Sequence, residues 1–450
     1  MDPSLSSSAQ RALIPGTTPS RIALSLALSR CSKERLSMLV EQIALISSSP
    51  DTHELLLSIL NSVARIVESE AASLFLHDPA TGEMVLQIPT GPARGEIQGV
   101  RIPAGQGICG WVAAHDESVT INNPATDPRF FGDVSRGGFV TRNLICVPVR
   151  RPDGAVIGVL QALNRSGNRP FDGEDRALLE ALADQAAIAL ERERLHGESL
   201  AHARVMEQLT LAREIQNGLW PRPEKFSGGV RVAGISIPAS HVGGDYYDFF
   251  PLPEGRIGLA LADVCGKGPA AALLMCTLRA SLRAHAEHCE SPATVVAHVN
   301  RTLVRDTTDG QFATLFFAVY DPATRELEYV NAGHNPPLLL DHTSGTYEEL
   351  HCGGMLVGAF DGVGYESGSL VLSPGKRLVV YSDGVTEAQA DEEEEYGEAR
   401  LIERLGNLQA GTSPSMVIEE LFETLAEFTG DQPQLDDLTM LVLDQPEPAE

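Results

Sequence analysis

Four short segments of this chain set a carboxylate against an apolar, β-branched run. HVGGDYYDFF carries Asp245, LADVCGKG carries Asp263, RLVVYSDGVTEA carries Asp383, and QLDDLTMLVL carries Asp436 and Asp437. Between the first two lies PLPEGRIGLA, which reads as a turn followed by a strand. Asp245 and Asp263 are therefore expected at the ends of neighbouring strands. Glycine beside them lets backbone approach closely and tolerates positive φ. A carboxylate in that position suits a hard cation held by oxygen ligands. Taken singly, an Asp next to Gly is most often a turn residue. Four such sites, with no matching set of His or Cys ligands, favour Mg²⁺ or Mn²⁺ over zinc.

Such a set of acids could hydrolyse a phosphomonoester, a reaction that is very slow without catalysis. Two divalent ions about 3.5 to 4 Å apart lower the pKa of a shared water and screen the phosphate charge. No side-chain nucleophile is then required. The sequence contains no G-x-S-x-G elbow and no Cys-centred phosphate loop.

Those acids need strands and helices to hold them, and the composition allows for these. The chain has 450 residues, 43% hydrophobic and 21% charged, enough for two or three globular domains. A formal net charge of -27 argues against a nucleic-acid surface. The acidic run Asp391 to Glu395 reads as a solvated loop. Cys31, Cys109, Cys146, Cys265, Cys276, Cys289 and Cys352 are scattered and never in CxxC spacing, as expected of reduced thiols in a cytoplasmic protein. No apolar run has the length of a membrane-spanning helix. IALSLALSRCS reads as an amphipathic helix rather than an export signal, because Arg30 stands where a small residue would be wanted.

In chain order, residues 1 to about 20 are rich in Ser, Pro and Thr and are expected to be disordered. A helix is expected from Ile22 to Ile46, with Leu36, Leu39, Val40 and Ile43 on one face. Ser49 or Asp51 would cap the next helix. Strands then follow in ASLFLHD and MVLQI around the turn DPATGE, and a short helix in GICGWVAAH. LICVPV and VIGVLQALN form a hairpin around Pro-Asp-Gly. FDGEDRALLEALADQAAIALERERL is a long helix capped by Asp172, with Asp175 at its third position. Helix continues to about residue 220. Val205, Leu209, Ala212 and Leu219 make a stripe at coiled-coil spacing that Gln216 interrupts, before the prolines of WPRP. The second half alternates strands with helices, one of them starting at Ser291-Pro292, as expected of an α+β sandwich.

Two resemblances emerge from these phrases. GQGICGWV, LICVPV, VIGVLQALN and FDGEDRALLEALADQAAIAL resemble a GAF domain over residues 51–194. That implies an antiparallel sheet with packed helices and room for a small ligand. The cyclic-nucleotide type of GAF domain carries Asn-Lys, Phe and Asp-Glu; here Asn164 precedes Arg165, and Asp175 precedes Arg176, so that pattern is half kept. Cys109 and Cys146 read as small apolar core residues. VGGDYYDF, ADVCGKGPAAALLM, FATLFFAVYD, NAGHNPPLLL, YSDGVTEA and DDLTMLVL resemble the SpoIIE-like branch of the metal-dependent (PPM) protein serine/threonine phosphatases. The resemblance implies an α/β/β/α sandwich over residues 222–445, joined to the GAF domain by a helical linker at 195–221, with residues 1–50 as an N-terminal extension.

By that resemblance Asp263 bridges two Mn²⁺ or Mg²⁺ ions, the Val264 carbonyl helps one, Asp383 and Asp436 complete the second, and Asp245 serves the first directly or through water. The family places the metal on Asp436, leaving Asp437 as a turn cap. His241 and His334 could act as general acids, but each reads better as a loop or surface histidine. Lys267 is a candidate phosphate contact. The implied substrate is a phosphorylated anti-anti-sigma (STAS) protein, and the linker implies a homodimer. A catalytically inactive scaffold that binds a STAS partner is the alternative. A cyclic-nucleotide phosphodiesterase would need a His/Asp constellation that the twelve scattered histidines do not supply.

Overall fold

The computed structural model describes residues 28–29, 31–46, 52–92, 98–130, 139–221, 230–288, 291–307, 310–391, 394–409 and 411–445. The start of the expected first helix at Ile22, the caps Ser49 and Asp51 and the N-terminal extension lie outside these residues. The chain divides into two compact units, Met1–His202 and Ala203–Glu450. Among the described residues no helix is long and apolar enough to cross a membrane.

In the first unit, α1 (Lys33–Ile46) and α2 (Thr52–Ile66) precede β1 (Ser69–His77) and β2 (Met84–Pro89). Then come β3 (Arg101–Ile102), α3 (Gly107–His115), β4 (Val119–Ile121), β5 (Leu144–Arg150), β6 (Val156–Arg165) and α4 (Gly173–Asn217). The strands form one antiparallel sheet in the order β3-β2-β1-β6-β5-β4. The turns match the sequence reading. Asp78 Oδ1 accepts from Ala80 N at 3.0 Å, and Gly82 has φ of 74°. The β5–β6 hairpin closes with Arg151 N donating to Ala155 O at 2.9 Å. Leu55, Leu56, Ile59, Leu60, Val63 and Ile66 bury one face of α2. On α1, Leu39 is buried, whereas Val40, expected on the same face, is 64% exposed. A helix covered by one layer hides a stripe narrower than its apolar residues span.

Helix α4 opens with a reciprocal cap. Asp172 Oδ1 accepts from Glu174 N and Asp175 N at 2.9 and 3.0 Å, and Asp172 N donates to Asp175 Oδ2 at 3.1 Å. Asp175 is fully buried and paired with Arg35 and Arg165, each at 2.6 Å. Asn164 accepts from Arg142 N and donates to Val140 O. Arg165 and Asp175 thus hold α4 to the sheet, while Asn164 holds the segment that leads into β5. Cys109 and Cys146 are buried, and burial pushes the Cys146 thiol well up, which leaves it an unreactive core residue. Further along α4 the expected stripe is covered only in part: Val205 is half exposed and Leu209 and Ala212 are half-buried, while Leu211 and Ile215, outside the stripe, are exposed. Leu219 does not belong to it, because the helix ends at Asn217, before the prolines. Leu219 and Trp220 pack against the second unit's core, and Trp220 stacks on Tyr247 at 5.1 Å.

The second unit holds two antiparallel-rich sheets. β7 (Arg231–Ile237), β8 (Tyr246–Pro251) and β9 (Ile257–Val264) come first. α5 (Pro269–Ala286) and α6 (Pro292–Asp306) follow, and Ser291 caps α6 by accepting from Thr294 N at 3.3 Å. Next are β10 (Ala313–Asp321), β11 (Glu326–Ala332), β12 (Leu338–Asp341), β13 (Thr346–Glu349), β14 (Gly353–Gly354), β15 (Gly368–Val371) and β16 (Lys376–Tyr381). The helical turn α7 (Asp383–Thr386), α8 (Gly397–Gly406), α9 (Pro414–Thr429) and β17 (Leu438–Asp444) complete the unit. One sheet runs β14-β11-β10-β9-β8, the other β13-β12-β16-β17-β7.

Side-chain alternation along these strands builds the layers. Tyr247, Phe249, Leu259, Leu261, Phe316, Leu378, Val380 and Leu441 fill the space between the sheets. Residues of the opposite parity, such as Tyr246, Ala260 and Phe317, meet Leu278 of α5 and Val299 of α6. Val379, Met440 and Val442 meet Leu401 of α8 and Leu421 of α9. The result is the expected α/β/β/α sandwich.

Candidate functional site

The interior faces of both sheets end in polar residues at one mouth of the sandwich. Asp245 immediately precedes β8, and Asp263 is the penultimate residue of β9. Tyr246 lies opposite Ala262, so the two acids sit at one edge of a paired ladder. In the other sheet Tyr381 lies opposite Met440. Asp383 follows the first of these strands and Asp436 precedes the second. Parity decides which acid of DYYDF reaches the mouth. Asp245 shares the interior face of Tyr247 and Phe249. Asp248 lies on the opposite face, where Arg283 grips it at 2.7 and 2.8 Å and the Tyr246 hydroxyl donates to it at 2.6 Å.

The electrostatics mark these acids as a group. Burial raises Asp263 to about 6, with Asp383, Asp436 and Asp437 adding to the rise. Asp245 is driven well above the usual carboxylate range by burial and then by Asp263. Burial and Asp436 raise Asp383. Glu387, one turn beyond Asp383, is raised by burial and by Asp383. Asp245 Oδ2 is buried with no hydrogen-bond partner. A buried, unpartnered carboxylate oxygen among like charges is costly unless a cation meets it. The donor set is all oxygen, which suits Mg²⁺ or Mn²⁺. Among the described residues no three such side chains converge at the spacing of a closed metal site. One acid is engaged by the protein itself: Lys267 Nζ lies 2.9 Å from Asp436 Oδ2 and also donates to Leu435 O.

Asp437 does something different. Its Oδ1 accepts from Ala239 N at 2.8 Å, and its Oδ2 from Gly244 N at 2.7 Å and Asp245 N at 3.2 Å. This buried carboxylate ties the loop after β7 to the segment that presents Asp245. Ser382 supports it, donating to Asp437 O at 3.1 Å and accepting from Thr439 N at 3.0 Å. Gly244 is needed for close packing, since a Cβ there would lie 2.9 Å from the Val264 carbonyl oxygen. Gly384 likewise leaves room for Asp437 O.

The histidines stand apart. His241 is exposed. His334, expected in a loop or at the surface, is 6% exposed, its Nδ1 lies 2.8 Å from Thr314 Oγ1 and burial lowers it to about 4. It is neutral at pH 7, packed behind β10 rather than offered to solvent. The NAGHNPP phrase looks like a surface turn, but Asn331 Oδ1 accepts from His334 N and folds it inward.

Sequence reasoning saw Gln216 only as a break in an apolar stripe. It is 5% exposed, and its amide makes two bonds to Gly243: Nε2 donates to Gly243 O at 2.8 Å, and Oε1 accepts from Gly243 N at 3.1 Å. Gly243 is two residues from Asp245, so the end of α4 holds the acid-bearing loop directly. A polar residue inside an apolar stripe was the available signal. Gln216→Ala leaves both Gly243 groups unpaired. The expected cost is about 2 kcal/mol, with metal affinity about tenfold weaker, read as a shifted Mn²⁺ titration of the full chain. An unchanged titration would reduce Gln216 to a packing contact.

A two-sheet sandwich with carboxylates gathered at one mouth offers oxygen donors of the kind that hard cations take. Comparison with known proteins shows what each half of the chain is similar to. The GAF domain profile matches residues 51–190, and the profile described as Stage II sporulation protein E (SpoIIE) matches residues 253–446. The chain is thus similar to the GAF family over its first half and to the SpoIIE family over its second. The second match covers Asp263, Asp383, Asp436 and Asp437 but begins after Asp245. Over 266 residues the chain is 26% identical to Phosphoserine phosphatase RsbU of Bacillus subtilis, covering 59% of this chain and 77% of that one. It is 31% identical over 264 residues to Protein IcfG of Synechocystis, covering 52% and 41% of the two chains. Phosphoserine phosphatase RsbP of Bacillus subtilis is 30% identical over 187 residues, covering 41% and 46%. The chain thus spans less than half the length of IcfG and RsbP. SpoIIE-type phosphatases depend on metal ions.

Proposed function

We propose that the protein hydrolyses phosphoserine or phosphothreonine on a protein substrate, under control of its GAF domain, with two Mn²⁺ or Mg²⁺ ions. The observation that carries this reading is the orphaned Asp245 Oδ2 beside Asp263, in a group of acids that raise one another's pKa. Asp263 would be shared by both ions, with Asp245 and the Val264 carbonyl on one and Asp383 and Asp436 on the other. When bound, the ions lower the pKa of a water and screen the phosphate charge. The chain's own part is to hold these oxygens still, through the Asp437 and Gln216 bonds. Lys267, already at Asp436, is the nearby cation for a substrate phosphate. The likeness to the phosphoserine phosphatases RsbU and RsbP favours a phosphoserine substrate, and the SpoIIE-branch motifs favour an anti-anti-sigma (STAS) phosphoprotein as its bearer. The uncovered apolar residues of α4 favour a homodimer through that helix. Among the described residues no cysteine forms a disulfide, and the scatter of the cysteines fits a reducing cytoplasm.

The test is phosphate release from a phosphoserine STAS protein by the full chain with Mn²⁺, for wild type and Asp383→Ala. Wild type should be active, and the variant slower by about a thousandfold. An inactive wild type that still binds the phosphoprotein would put the scaffold reading first.

The raised acids also predict a pH dependence. Protons compete with the cation for Asp263, which carries a proton below about pH 6. Mn²⁺ affinity should therefore be about tenfold weaker at pH 5 than at pH 7.5. For the metal-free protein the sign is opposite. A raised folded pKa contributes stability that is complete below the unfolded value near 4 and is lost as pH rises through about 6. In EDTA, Tm should fall between those pH values. Adding Mn²⁺ should raise Tm more at pH 7.5 than at pH 5, and equal gains at both would refute this account.

A further inference from the structure

Beside the acids the surface opens into a pocket of about 450 Å³, within the range of about 300–1,000 Å³ typical of ligand sites. Its inner rim is shared with the acid group through Lys267, Gly384 and Asp436. Its walls combine apolar residues (Ile237 at the end of β7, Phe422 and Ala426 on α9, and Leu435) with polar ones such as Glu387 and Gln434. Ile237 is 37% exposed and Leu435 54% exposed. Large apolar side chains left in water beside a charged site mark a surface that something covers. Ile237, Phe422 and Ala426 also line a second, shallower groove that continues between β7 and α9. β7 is the outer strand of its sheet. The far wall of this groove carries Glu419 and Glu423.

The two depressions make one track that starts at the acids and leads away from them, mixed in polarity near the acids and more apolar further along, where Glu419 and Glu423 supply its charge. That shape fits an extended polypeptide better than a compact small molecule. A phosphoserine delivered to the acids brings its flanking residues within one or two strand rises, about 3.3 Å each, and so onto this track. We propose that the pocket seats an apolar side chain of the phosphoprotein substrate close to the phosphoserine, with basic residues further along facing Glu419 and Glu423. This rests on the phosphatase reading and deepens it, because it assigns sequence selectivity to a pocket outside the acid group.

The experiment uses the full chain with Mn²⁺ and short phosphoserine peptides in which a single leucine replaces alanine at successive flanking positions. One position should raise kcat/KM by about ten- to a hundredfold, the worth of burying one such side chain. Ala426 is exposed on α9, so Ala426→Trp fills the pocket without entering the core. It should abolish the leucine preference and leave p-nitrophenyl phosphate turnover unchanged, while Ala426→Ser keeps the preference. Peptide turnover with no leucine-sensitive position, or a preference that survives Ala426→Trp, overturns the proposal. If wild type fails to hydrolyse p-nitrophenyl phosphate, the phosphatase reading falls. Anisotropy of labelled peptides then decides the pocket: leucine-dependent binding lost in Ala426→Trp supports it, and its absence refutes it.

Discussion

Asp263→Asn is expected to lower kcat on a phosphoserine substrate by about a thousandfold and at the same time to raise the Tm of the metal-free protein. The two effects have one cause. Asp263 is pushed to about 6 by burial and by the neighbouring acids. Keeping it ionised at pH 7.5 therefore costs the fold about 2–3 kcal/mol. Asparagine keeps the shape and removes the charge, so that cost disappears, and Tm in EDTA should rise by about 5 °C. The same change removes the oxygen that both cations would share, so Mn²⁺ should no longer stabilise the variant. Thermal scans with and without Mn²⁺, beside phosphate-release kinetics, separate the outcomes. A variant that is inactive but less stable in EDTA would show that repulsion among the acids does not govern the site.

Asp437→Ala should act through the fold first. It removes the acceptor of three backbone donors, at Ala239, Gly244 and Asp245. The Gly244 and Asp245 donors stay buried, and losing a charged acceptor for several groups costs about 3–5 kcal/mol. Tm should drop by about 10 °C. Asp245 loses its anchor, so kcat should fall by about ten- to a hundredfold, less than for Asp263→Asn. Asp437→Asn, which keeps one acceptor oxygen, should fall between. If Asp437→Ala abolished activity with Tm unchanged, Asp437 would be a ligand rather than a tie.

These two residues show how far a sequence reading carries. Asp245, Asp263, Asp383 and Asp436 were visible because each abuts an apolar run beside glycine, a local pattern. In the structure strand alternation puts Asp245 on the interior face of the sandwich and Asp248 on the opposite face, against Arg283. The caps at Asp172 and Ser291 and the Pro-Asp-Gly hairpin were equally local, and they appear where the sequence places them. Asp437 was read as a turn cap, and capping is what it does, but its donors come from loops some 200 positions away. No local pattern records such a partner. The same holds for Gln216, which reads as a flaw in a helix stripe until Gly243 is packed against it.

His334 makes the point in the other direction. NAGHNPP has the composition of an exposed turn, and the Asn331 side chain folds it inward. Val40 and Leu219 were assigned to apolar faces by spacing, which defines a face but not how much of it a neighbour will cover. The sequence by itself determined the two domains' elements and the acids at strand ends, because periodicity and turn chemistry act over a few residues. Only the tertiary structure decided which of those acids meet, which one holds the others in place, and that an apolar pocket opens beside them. Those facts depend on two sheets and a helix end arriving at one mouth, and sheet packing is set by the whole core at once.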